Sequence, residues 1–125
     1  MPDVILVGHC GPDAIMLKTA VQRALPEASV ELVNDHAALD ASLAGDVVLL
    51  VNRALDGEFH TGSGGIDLIR HLTESDAGAP MLLVSNFEDA QAEAEAAGAM
   101  PGFGKSDLYH DDTTQRIKDA VAHFE

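Results

Sequence analysis

The residues able to do chemistry in this chain stand where its apolar runs stop. Gly8-His9-Cys10 follows Val4-Ile5-Leu6-Val7, and Asn52 follows Val47-Val48-Leu49-Leu50-Val51. Ser85-Asn86 follows Met81-Leu82-Leu83-Val84, and Lys105 follows a short run at 100–104. A hydroxyl and an ammonium brought together would bind an oxyanion through charge-assisted hydrogen bonds. His9, Cys10 and His60, joined by Asp56 or Glu58, are donors for Zn²⁺ or another borderline ion, but without the tight spacing of a finger-type site. Cys10 reads more simply as a small packed thiol. Thr61-Gly62-Ser63-Gly64-Gly65 could turn backbone N–H groups toward an anion ahead of a helix, yet it lacks the lysine and the spacing of a P-loop.

Periodicity predicts the elements that position these groups. Short β-branched or aliphatic runs bounded by Gly, Pro or Asn read as buried strands. They occur at 4–7, 29–33, 47–51, 81–84 and, weakened by Pro101, Gly102 and Gly104, at 100–104. Between them, apolar residues recur at helical spacing. Asp13 is a candidate N-cap for a helix carrying Ile15, Leu17, Ala20, Val21, Ala24 and Leu25 up to Pro26, and Asn34 or Asp35 one for a short helix at 36–43. Ile66, Leu68, Ile69 and Leu72 mark the next helix; 88–97 is another, stopped by Gly98. The last helix, 113–124, follows Asp111 and Asp112 as cap and dipole partners.

Strands alternating with helices predict an α/β fold: a doubly wound, flavodoxin-like, five-stranded parallel sheet in order 2-1-3-4-5, with helices on both faces. Ligands in such sheets sit at the carboxyl ends of the strands, by the switch point between strands 1 and 3. Gly8, His9, Cys10, Val51, Asn52, Ser85, Asn86 and Lys105 should therefore line one shallow cleft. The glycine-rich stretch 52–65 reads as a long loop, in its plainest form a flexible one. Asp56, Glu58, His60, Thr61 and Ser63 are its candidates for contacting a partner or ligand.

Four segments in order carry a resemblance. They are Asp46-Val47-Val48-Leu49-Leu50-Val51, Gly65-Ile66-Asp67-Leu68-Ile69-Arg70, Met81-Leu82-Leu83-Val84-Ser85, and Gly98-Ala99 through Lys105. Over nearly the whole chain they resemble the receiver domains of bacterial two-component response regulators. The resemblance implies phosphoryl transfer from a histidine kinase to an aspartate at the end of strand 3. It also implies an acidic pair after strand 1 for Mg²⁺, and a Ser/Thr and a Lys that bind the phosphoryl oxygens. Matched position by position, the acidic pair falls on Gly8 and His9. The acceptor falls on Val51, or on Asn52 if the strand carries one more residue. Ser85 and Lys105 match the oxyanion binders. Ser106 stands where a proline follows the lysine, and Gly102 where a switching aromatic sits, with Phe103 one place later. Gly65 also comes later after strand 3 than the family's glycine does. The oxyanion half is thus kept, while the Mg²⁺ site and the usual acceptor are lost. Asp13, Asp56 or Glu58 could compensate the charge of Lys105.

The expected function is that of a stand-alone pseudo-receiver, a signalling module and not an enzyme. It would not be phosphorylated at the usual strand-3 position, and would act on another protein through the face formed by residues 88–124. A phospho-accepting receiver using another acid, such as Asp56, and a small metal- or anion-binding flavodoxin-like protein are the alternatives. The expected partner is another signalling protein, such as a histidine kinase or an output protein, and a dimer is compatible. Composition bounds this reading. The 125 residues suit one domain over 1–125, without repeat or linker. Seven Lys plus Arg against 21 Asp plus Glu give a net charge of −14, which weighs against nucleic acid and anionic membranes as partners. No apolar run approaches a membrane span, and no basic region precedes the first run as it would in a secretory signal. The single cysteine suits a reducing cytoplasm.

Overall fold

In the computed structural model, which describes residues 1–125, the apolar runs become β1 (Asp3–Val7), β2 (Val30–Val33), β3 (Val47–Asn52), β4 (Met81–Val84) and β5 (Met100–Phe103). They form a parallel sheet in order β2-β1-β3-β4-β5, as the sequence predicts. The helices are α1 (Gly11–Ala24), α2 (His36–Ser42), α3 (Gly65–Glu74), α4 (Glu88–Ala97) and α5 (Asp111–Ala122). Strand alternation divides the core. Val4, Leu6, Val48, Leu50, Leu82 and Val84 pack beneath α1 and α5. Ile5, Val7, Leu49, Val51, Met81 and Leu83 pack against α2, α3 and α4. With both faces covered, the central strands must be apolar at every position rather than at alternate ones. Each large aliphatic side chain buried there contributes about 2 kcal/mol.

Local chemistry sets the ends of the elements. Asp35 caps α2, its Oδ1 accepting from the Ala38 N–H at 2.8 Å. Gly98 ends α4 at φ +119°, and a Cβ there would run into the Thr73 side chain. Two expected caps are displaced. α1 starts at Gly11 with Cys10 as N-cap, so Asp13 lies inside the first turn. Pro12 favours this, since a proline fits the first helical positions where no N–H is needed. α5 starts at Asp111 behind His110, so Asp111 and Asp112 face the helix dipole without capping it.

The larger correction concerns the loop between β3 and α3. It is anchored rather than plainly flexible: Leu55 and Phe59 are buried among the residues beneath α2 and α3. Its base is closed by the Ala54–Gly64 bridge and by the Leu55 N–H donating to the Ser63 carbonyl at 2.8 Å. Its far side bridges to Asp35 through Glu58. Close ends and inward side chains make it an Ω-loop.

Candidate functional site

The register of the central strands brings the candidate residues together. Val7 pairs with Val51, so Gly8 and Asn52 lie side by side where β1 and β3 end. Asn52, Ser85, Asn86, Phe87 and Lys105 line a shallow cleft of about 270 Å³ at the carboxyl edge of the sheet. Val51 does not join them. It is fully buried on the α3 side, because β3 runs one residue further and places Asn52 at its end.

The β4–β5 side of this cleft is polar. Lys105 Nζ donates to Asp13 Oδ2 at 2.6 Å, with both side chains 28% exposed. Asp13 is thus the acid that compensates the lysine, reached from the first turn of α1 and not from the loop. The Lys105 ammonium holds the Asp13 carboxyl below the usual carboxylate range, with smaller help from Cys10. Ser85 Oγ accepts from the Phe87 N–H at 3.2 Å. Asn86 Oδ1 accepts from the Ser106 N–H at 3.1 Å and hydroxyl at 3.0 Å, fastening the turn that carries Lys105.

One contributor here is not evident from the motifs: Gln91, whose Nε2 donates to the Leu83 carbonyl at 2.9 Å and the Ser85 carbonyl at 3.1 Å. The glycines were the available signal. A Cβ on Gly102 would collide with the Leu83 carbonyl and meet Gln91 Oε1; one on Gly104 would collide with Asn86 Oδ1. No aromatic side chain fits at 102, and Phe103 is buried beneath α1 and α5.

On the β1 side the groups are turned inward. Gly8 adopts φ +75°, a conformation disfavoured for side chains, and a Cβ there would lie 2.5 Å from Leu55 Cδ2. The Gly8 carbonyl accepts from Asn52 Nδ2 at 3.0 Å and from the Asp56 N–H at 2.8 Å. Asn52 Nδ2 also donates to the Ala54 carbonyl at 2.8 Å. His9 is fully buried, with Nε2–H donating to the Leu50 carbonyl at 2.9 Å. Burial pushes its pKa down to about 4, so the ring is neutral at neutral pH. Its Nδ1 has no partner.

These groups do not fit the Mg²⁺ that a receiver-like site implies. Mg²⁺ takes oxygen ligands, chiefly carboxylates and phosphate. This corner offers a glycine, a buried neutral imidazole and an amide, and the nearby carboxylate of Asp13 is held by Lys105. The suggested Zn²⁺ donors do not converge either: no three His, Cys, Asp or Glu side chains are grouped to hold an ion. His60 leaves the cleft and stacks on His36, ring centroids 3.7 Å apart. Asp56 and Glu58 are exposed, and Ser63 contributes its carbonyl to the loop base. Thr61 Oγ1 is buried without a partner, and the Gly62 and Gly65 N–H groups donate to the Phe59 and Arg53 carbonyls. The expected anion cradle is therefore turned on itself.

No family model matches the chain, and no curated protein matches it. Solved structures do. The receiver domain of Francisella response regulator 1452 superposes with a TM-score of 0.76 at 14% identity, covering 100% of both chains. The signal receiver domain of a DNA-binding response regulator from Colwellia psychrerythraea 34H gives 0.73 at 17%, over 98% of this chain and 99% of that one. The receiver domain of NtrX from Brucella abortus gives 0.66 at 16%, over 97% of each. Sheet order, strand-end cleft and these superpositions agree on one architecture, and the chain has the fold of a response-regulator receiver domain.

Proposed function

We propose that this chain is a pseudo-receiver: a cytoplasmic signalling module that acts by binding another signalling protein, without Mg²⁺ and without phosphorylation at the end of β3. The observation that carries this reading is the state of that position. Asn52 stands there with its amide N–H groups bound to the Gly8 and Ala54 carbonyls, and Leu55 fills the space above Gly8 where a carboxylate would be needed. An amide so held is not the carboxylate nucleophile that phosphoryl transfer to this position requires. Lys105 and Ser85 keep an oxyanion-binding corner, with Asp13 as its internal anion. The module would therefore rest in one state, and its output would depend on contacts of α4, β5 and α5.

No helix is long and apolar enough to cross a membrane, and the net charge of −14 argues against a nucleic-acid partner. Incubation with a small phosphodonor and Mg²⁺, followed by intact-mass analysis, tests the proposal. The expected result is no adduct. A stoichiometric phosphoryl adduct that hydroxylamine removes would overturn it, and peptide mapping would then show whether Asp56 or another acid is the acceptor.

A further inference from the structure

The Ω-loop covers the end of β1, and its far side is fastened to α2 by imidazoles. His36 opens α2, and His60 lies on the loop. Their rings stack with centroids 3.7 Å apart and planes 11° from parallel. The His60 N–H donates to His36 Nδ1 at 3.3 Å, while His36 Nε2 lies 3.6 Å from Asp40 Oδ1. This network sets the tautomer: Nε2 carries the hydrogen toward Asp40, and Nδ1 keeps its lone pair for the loop. The side chain of His36 is only 11% exposed.

A proton added to His36 can enter only at Nδ1, the atom that accepts from the loop. The bond to the His60 N–H is then lost, since donor faces donor. A second proton on His60 would set two cations face to face. Imidazole is the side chain that takes up protons between about pH 5 and 8. The other charged or titratable groups around His36 are Asp40 on α2, Asp35 at its cap, Glu58 on the loop and His71 on α3, its ring 6.4 Å away. None of them replaces the lost acceptor.

We propose that the His36–His60 stack is a proton-sensitive latch: neutral, it holds the Ω-loop over Gly8, and protonation of His36 releases the loop and uncovers Leu55, Phe59 and the end of β1. The remaining fastenings are consistent with a lid that opens as a unit. The Glu58 N–H donates to the Asn34 carbonyl at 2.9 Å and the His36 N–H to the Glu58 carbonyl at 3.1 Å, both beside the latch, while the Asp56 N–H, bound to the Gly8 carbonyl at 2.8 Å, must open with them. The hinge points are the loop's two ends at Ala54 and Gly64.

Amide hydrogen exchange of the full chain at pH 7.5 and pH 5.5, corrected for intrinsic rates, tests the latch. His9 destabilises the whole fold over the same range, so the amides of β3 serve as the internal reference. The expected result is that protection of the Asp56, Glu58 and His60 amides falls severalfold between pH 7.5 and pH 5.5 beyond any change in β3. His36→Gln keeps a neutral acceptor and should remove this excess; His60→Gln, as a second variant, should reduce it. Loop amides that track β3 at both pH values would overturn the proposal. So would an excess loss that survives in His36→Gln.

Discussion

The two sides of the strand-end cleft are built from the same sheet edge and differ in kind. On the β4–β5 side, Ser85, Asn86 and Lys105 keep polar groups at the surface, and the one strong charge pair is intramolecular. On the β1 side, His9 is buried and neutral, Gly8 is covered by Leu55, and Asn52 is tied to backbone carbonyls. The first side is a polar corner whose lysine is held by an acid of the same chain; the second is part of the core. A charged corner can be reopened by one substitution, whereas a packed one resists any.

The widest break in that contrast would come from Gly8→Asp. Side-chain strain at positive φ, overpacking against Leu55 and a carboxylate with no partner act together, and the expected loss is about 4 kcal/mol in urea unfolding. Pairing it with Leu55→Ala should recover part of the loss. Full stability of the single variant would show that the corner is open after all.

Next in size is the response to acid. The folded-state pKa of His9 is depressed to about 4 from the ordinary 6.5. Its contribution is therefore complete above pH 6.5 and lost progressively as pH falls from 6.5 toward 4. The total is about 3 kcal/mol, read as a falling urea midpoint across that window. His9→Leu should flatten the decline, even though it leaves the Leu50 carbonyl without its donor.

Asn52→Asp would restore a carboxylate at the end of β3 but set it against the Gly8 and Ala54 carbonyls. The expected cost is about 2 kcal/mol, with no phosphoryl adduct by intact mass. Efficient phosphorylation of this variant would mean that the β1 side needs no further change to work. The smallest effect belongs to the opposite side. Asp13→Asn breaks a pair that is partly solvent-screened and should cost less than about 1 kcal/mol. It should, however, free Lys105 for inorganic phosphate, seen as a rise in melting temperature with phosphate that the wild type lacks.

Much of this was legible in the sequence. Continuous apolar runs predict strands covered on both faces, and the order of runs and helical patterns predicts the sheet. Asn52, Ser85 and Lys105 meet in one cleft, as the switch-point argument expects. What escaped was the packing of isolated residues. Leu55 and Phe59 belong to no periodic pattern, so a pattern reading leaves them in solvent. Gln91 looks like one more polar residue on an Ala/Glu-rich helix, although its amide bonds two strand-end carbonyls. Asp13 reads as a cap until the helix is seen to begin at Gly11. Asp13 and Leu55 meet partners far along the chain, at Lys105 and Gly8, where spacing carries no information; Gln91 reaches back only to Leu83 and Ser85, but across the β4–α4 turn that no periodicity describes.

The contact between Gly8 and Leu55 also constrains the order in which changes can accumulate. An acid at position 8 has no room while the long loop is present, and removing the loop first leaves an uncovered glycine and a hole in the core. Neither single step is neutral, so an acid at residue 8 can be introduced only together with a change in the loop.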